Sequence, residues 1–158
     1  MKVILWDWDN TLADTIDPLM QAFNATFKHF NMPTITREQM KIFMNSAGSQ
    51  LFLELFPDKD LNEVRQIYLE NYKKNVFSLR LLNGAKEALK WTKDQGFINI
   101  VASNKHYLIL RQEVKVAGLS EYFTDICGAE QFPENKPGKV FTDAALGKYK
   151  NFDELFVV

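Results

Sequence analysis

The chain has 158 residues, 46% of them hydrophobic and 25% charged, with 19 basic against 20 acidic side chains. That is the size of one domain, or of a domain carrying an insertion, and it suffices to bury roughly 70% of the unfolded surface. High apolar content with a net charge of -1 excludes disorder as the main state and gives no sign of a nucleic-acid partner, while the single cysteine, Cys127, excludes an internal disulfide and a cysteine-built zinc cage and points to a reducing, cytoplasmic compartment.

The opening run, Met1 to Asp7, is too short in its apolar part for a signal peptide, and no stretch reaches the ~20 apolar residues of a membrane span, so no membrane partner is expected. Val3-Ile4-Leu5-Trp6 is continuously apolar, which reads as a strand buried on both faces of a parallel sheet. It gives way to Asp7-Trp8-Asp9-Asn10-Thr11. A helical zone follows. Ile16, Leu19, Met20, Phe23, Phe27 and Phe30 form one stripe at helical spacing, which Asn31-Met32-Pro33 ends. Thr36 with Gln39 has the form of a capping box and opens a second helix to about Met44. Gly48 breaks it, Leu51–Phe56 makes a short third helix, and Asp60 caps a fourth with Leu61, Val64, Tyr68 and Tyr72 inward. No strand is expected between Asp14 and Leu81.

After Asn83-Gly84 the pattern changes. Ala85, Ala88, Leu89 and Thr92 line a helix ending at Gly96, and Phe97–Ala102 reads as a strand that stops at Ser103-Asn104-Lys105. Leu110, Val114 and Ala117 line the next helix. Asp125–Cys127 is a short third strand, Glu134-Asn135-Lys136-Pro137-Gly138 a polar loop opening a helix to about Tyr149, and Leu155–Val158 a fourth, buried strand. Strands alternating with helices imply βαβ units: an α/β, Rossmann-like, mostly parallel sheet at 1–13 and 82–158, interrupted at 14–81 by an all-helical insertion.

In such sheets ligands sit beyond the carboxyl ends of the strands. Three strands deliver polar clusters there or into the following loops: Asp7, Asp9 and Thr11; Ser103 and Asn104; Lys136. Two aspartates at one strand end repel unless a cation or a proton intervenes. An oxygen-rich position of this kind suits Mg2+, which brings its own waters and phosphate oxygens. One aspartate is then placed to attack phosphorus, the second to move a proton, and a lysine to offset charge in the transition state. Ser103 also reads as an ordinary helix N-cap, and Asn104 and Lys105 as groups that touch substrate. His29 and His106 have no ligand-like spacing, and Cys127 reads as a small buried apolar residue.

At these residues the chain resembles the haloacid dehalogenase-like superfamily. Asp7-Trp8-Asp9-Asn10-Thr11 matches its DxDxT motif, Ser103 its second motif and Lys136-Pro137 its third. The helical insertion resembles the type 1 cap of the phosphoglycolate phosphatase and β-phosphoglucomutase branch. The resemblance implies a Mg2+-dependent phosphatase acting on a small phosphorylated metabolite. It assigns Asp7 as nucleophile and metal ligand, and Asp9 as general acid/base with its backbone carbonyl on the metal. Thr11 would orient the loop and help hold substrate, Ser103 would bind the phosphoryl group with Asn104 near substrate, and Lys136 would steady nucleophile and phosphate. The family's fourth motif, an acidic pair after the fourth strand, does not occur before Val158. On the resemblance, this implies a core truncated after that strand, with weak Mg2+ binding and slow turnover. A phosphomutase and a non-catalytic binding relative are the competing functions. A response-regulator receiver is disfavoured by the position of the aspartates and the inserted helices. Nothing in the sequence sets an oligomeric state.

Overall fold

The computed structural model describes residues 1–44, 48–149 and 151–158. In chain order these form β1 (Lys2–Trp6), β2 (Ala13–Asp14), α1 (Ile16–His29), α2 (Arg37–Phe43), α3 (Gly48–Leu55), α4 (Leu61–Asn75), β3 (Arg80–Leu81), α5 (Ala85–Asp94), β4 (Ile98–His106), α6 (Tyr107–Val116), β5 (Asp125–Ala129), α7 (Lys139–Leu146) and β6 (Glu154–Val157). They divide into two compact units, Met1–Asp14 with Arg80–Val158, and Thr15–Leu79.

The first unit is built on a four-stranded sheet in the order β5-β4-β1-β6, every pair parallel. The apolar β1 lies inside it, with Val3, Ile4, Leu5 and Trp6 all buried. Alternation sorts its residues onto two faces. Val3 and Leu5 join Ile100, Ala102 and Cys127 in a core closed by Phe141 and Ala145 of α7. Trp6 points the other way and donates to the buried Asn99 at 3.0 Å. The Asn99 amide in turn donates to the carbonyls of Leu89 on α5 and Tyr122, so this buried polar side chain is satisfied.

Four local expectations give way to the observed chain path. The second strand does not stop at Ala102; β4 runs on to His106, because after an irregularity at Ala102/His106 the strand pairs again, His106 with Ala129. Ser103 is therefore not a helix N-cap. His106 fills that position, its Nδ1 accepting from the backbone N–H of Leu108 at 3.2 Å. Asp14 and Arg80-Leu81 are not helical or irregular but form an antiparallel ribbon, Ala13 opposite Leu81 and Asp14 opposite Arg80. Finally, among the described residues β6 pairs with β1 alone, and its four residues are exposed where a buried strand was expected.

The second unit is helical. Thr36 and Gln39 make the reciprocal capping box, and Asp60 caps α4 by accepting from Asn62 and Glu63. Its core is aromatic: Phe23 of α1 lies 4.6 Å from Tyr68 and 5.5 Å from Phe52, ring centre to ring centre, and Phe27 stacks on Phe56 at 4.8 Å. The stripe read from α1 is thus packing between helices.

Candidate active site

The site grows from the end of β1. Beyond Trp6 the chain turns sharply around one acceptor: the carbonyl of Trp8 takes the N–H groups of Thr11, Leu12 and Ala13 at 3.3, 3.0 and 3.1 Å. Asn10 adopts φ 61°, a left-handed conformation that asparagine tolerates better than most residues. Trp8 itself is fully buried, so the tight turn anchors its ring inward and leaves Asp7 and Asp9 at the sheet edge. Thr11 lies half-buried on the same turn.

The two aspartates have different partners. Asp7 Oδ1 accepts from Lys136 Nζ at 2.5 Å, and the same ammonium donates to the carbonyl of Ala102 at 2.6 Å. Asp9 Oδ1 accepts from Lys105 Nζ at 2.5 Å and Oδ2 from the hydroxyl of Ser103 at 3.3 Å. One lysine per aspartate removes most of the repulsion expected of adjacent carboxylates. Lys136 is itself fastened to β4. Asn104 Nδ2 donates to its carbonyl at 3.0 Å, and its N–H donates to Asn104 Oδ1 at 2.7 Å. The expected site residues form two neighbouring hydrogen-bonded groups at this edge, Asp9 with Ser103 in one and Asp7, Lys136 and Asn104 in the other. Asn104 joins the second as a strut under Lys136, with both ends of its amide engaged by main chain. Ser103 is 2% exposed and faces Asp9, while its oxygen also accepts from the Lys105 N–H at 3.1 Å.

β5 packs tightly behind this edge. A Cβ on Gly128 would lie 2.6 Å from the Cα of Tyr107 and 2.8 Å from the carbonyl oxygen of Lys105, so only glycine lets the strand approach the end of β4 where α6 begins.

A second layer lies below Asp9. Lys105 Nζ also donates to both oxygens of Glu113, at 3.0 and 2.8 Å, and Trp8 Nε1 donates to Glu113 Oε2 at 2.5 Å. The Glu113 side chain is 0% exposed and that of Lys105 6%. Burial pushes the Glu113 carboxyl well above the ordinary carboxylate range, and the neighbouring charge of Asp9 adds to this while the Trp8 N–H opposes it. Burial lowers Lys105, against the contrary pull of Asp9. Lys105 is thus enclosed within the cluster, not extended toward substrate as expected. Glu113 was not among the expected site residues. A signal existed: it stands three residues after Leu110 and one before Val114, on the inward stripe of its helix.

Among the described residues there is no group of three or more His, Cys, Asp or Glu placed to hold a metal. The partly exposed Asp7 carboxylate is a chain oxygen donor that fits Mg2+. Such an ion commonly takes one or two carboxylates and completes its shell with water and phosphate oxygens. The Asp9 carboxylate is turned toward Ser103 and Lys105.

Comparison with known proteins agrees with this fold. The family of haloacid dehalogenase-like hydrolases matches residues 4–154, and the chain belongs to it. It is 25% identical to the phosphoglycolate phosphatase of Vibrio parahaemolyticus, over 95% of this chain and 71% of that one. It is 30% identical to the pyrophosphatase PpaX of Listeria monocytogenes, over 92% of this chain and 68% of that one. The crystal structure of a predicted phosphoglycolate phosphatase from Haemophilus somnus superposes with a TM-score of 0.89 at 22% identity, covering 99% of this chain and 76% of the other. No helix among the described residues is long and apolar enough to cross a membrane.

Proposed function

We propose that the chain is a Mg2+-dependent phosphatase that hydrolyses a small phosphate monoester or anhydride through an aspartyl phosphate on Asp7. The observation that carries this reading is the division of the two aspartates. Asp7 is partly exposed and paired with the Lys136 ammonium; Asp9 is held two residues away by other groups. A nucleophile and a proton carrier need this kind of separate treatment.

In the proposed reaction an oxygen of Asp7 attacks phosphorus and the bond from phosphorus to the leaving oxygen breaks. Asp9, protonated at that stage, gives its proton to the departing oxygen. It then takes a proton from a water, whose oxygen attacks the phosphorus of the aspartyl phosphate. The bond to Asp7 breaks, inorganic phosphate leaves, and the carboxylate is restored. Lys136 offsets the charge that builds on phosphoryl oxygens. Mg2+, held by the Asp7 carboxylate and the Asp9 carbonyl, would supply positive charge that lets two anions meet. The relatives named above favour a small phosphorylated metabolite, a glycolate-like phosphate ester or pyrophosphate. The helical unit, Thr15–Leu79, is read as the cap. Both of its connections run directly into the β2–β3 ribbon, Ala13–Asp14 with Arg80–Leu81.

The test is chemical trapping. With Mg2+ and acetyl phosphate or p-nitrophenyl phosphate, borohydride should reduce an acyl phosphate at Asp7, located by mass spectrometry of the digested chain. Modification at another residue, or an Asp7→Asn variant as active as the parent, would refute the reading.

A further inference from the structure

We propose that Lys105, gripped by the Glu113 carboxyl that also takes the Trp8 indole N–H, is a positioning residue that holds the Asp9 carboxylate in place for proton transfer, an inference that rests on the phosphatase reading above. A lysine beside an anion-binding site invites a simpler role, direct contact with substrate. The geometry opposes that role. The side chain is 6% exposed. An ammonium has three N–H donors, and this one donates to Asp9 Oδ1 and to both oxygens of Glu113.

The grip extends further. The indole N–H of Trp8, the residue between the two aspartates, ends on the same Glu113 carboxylate. Asp9 is therefore tied to α6 twice, through Lys105 and through the ring next to it in sequence. Its other oxygen accepts from Ser103, whose hydroxyl oxygen takes the main-chain N–H of Lys105. Residues 103 and 105 thus hold opposite oxygens of one carboxylate, which fixes its plane as well as its distance.

Cost argues in the same direction. A carboxylate with no exposed surface is expensive to bury even when paired, and an apolar pair of similar volume is often as stable or more so. Leu110 and Val114 surround Glu113 on its helix with no such penalty. The polar group kept there bonds Trp8 and Lys105, and through Lys105 its reach extends to Asp9.

The test uses the full chain with Mg2+ and two esters: p-nitrophenyl phosphate, whose leaving group departs readily without a proton, and phenyl phosphate, which depends more on one. Lys105→Met should lower kcat/KM for phenyl phosphate by about a hundredfold, the scale of a general acid's contribution, and for p-nitrophenyl phosphate by about tenfold. The affinity for inorganic phosphate should stay within about threefold, since the lysine does not reach the phosphoryl group. Because Lys105→Met alone leaves Glu113 buried without its ammonium, the double variant Lys105→Met, Glu113→Met is made beside it. Its melting temperature should be at least that of the single variant, with the same unequal loss on the two esters. In the parent the Trp8 indole N–H should show a downfield, exchange-protected proton resonance that the double variant loses. An equal loss on both esters, no loss at all, or a large drop in phosphate affinity would overturn the proposal. These outcomes separate from the functional reading. If Asp7 is trapped as the acyl phosphate and the ester losses are equal, only the role of Lys105 fails. If no acyl phosphate forms at Asp7 in the parent, both fall.

Discussion

Replacing Lys136 with methionine separates chemistry from stability. Its ammonium lies 2.5 Å from Asp7 Oδ1 and 2.6 Å from the carbonyl of Ala102, but the pair with Asp7 is open to solvent, the two side chains 29% and 38% exposed. A pair so exposed stabilises a fold by about 0–1 kcal/mol, and the hydrogen bond to Ala102 adds about 1 kcal/mol. At roughly 2–4 °C per kcal/mol for a chain of this size, Lys136→Met should lower the melting temperature by less than about 8 °C. The effect on reaction should be far larger. A donor fixed where charge develops is worth about 2.7–4 kcal/mol, or about 10²–10³ in kcat. The assay pairs hydrolysis of p-nitrophenyl phosphate with a thermal melt of the same preparation. A kcat within tenfold of the parent, with Asp7 still trapped by borohydride, would refute the role given to the ammonium. A drop in melting temperature beyond about 15 °C would show that Lys136 holds the fold and that the activity loss follows from that.

Asn104→Ala should act through Lys136. It removes both tethers on the Lys136 main chain, so kcat should fall about tenfold, and adding it to Lys136→Met should cost little more, which a double-mutant cycle measures. Burial first, then the Asp125 carboxylate, raises the Cys127 thiol to about 11 against the contrary pull of Lys148. At pH 8 a thiol-disulfide reagent should label the folded chain slowly and the urea-unfolded chain at once; rapid native labelling would contradict the burial. The folded thiol keeps its proton more tightly than the unfolded one, so this residue's contribution to stability should fall as pH rises from about 9 through 11. Phe23→Ala, at the centre of the aromatic core of α1 and α4, should destabilise the helical unit by about 3–5 kcal/mol, read as faster proteolysis within residues 15–79.

The sheet was legible wherever burial alone decides conformation. Val3–Trp6 has no polar residue, so only a central parallel strand accommodates it, and β1 is that strand. The helix starts at Thr36 and Asp60 were legible because a cap is a local bond between residues two or three apart. What the sequence hid was set by distant partners. Ser103 to His106 look like the polar end of a strand followed by a cap. They stay extended because His106 finds Ala129 across the sheet, a pairing between segments with no shared local signal.

At the site, the sequence showed which residues meet but not which partner each one takes. Asp7, Asp9, Ser103 and Lys136 could be gathered from their places after successive strands, because parallel strands carry their ends to one edge. The assignment of Lys136 to Asp7 and Lys105 to Asp9 could not be read this way. Both lysines follow strands, and their side chains are long enough to reach either acid. The choice is made by buried groups away from the edge. Asn104 fixes the backbone of Lys136 above Ala102, and Glu113 with Trp8 draws Lys105 inward beneath Asp9. A carboxylate on the apolar stripe of α6 is therefore the residue whose sequence position carries most information about this layer. A buried acid requires donors, and the donors it found are the lysine of one motif and the tryptophan of another. The two aspartates acquire different environments from that layer, and on the proposed reading the difference lets one carboxylate attack while its neighbour carries the proton.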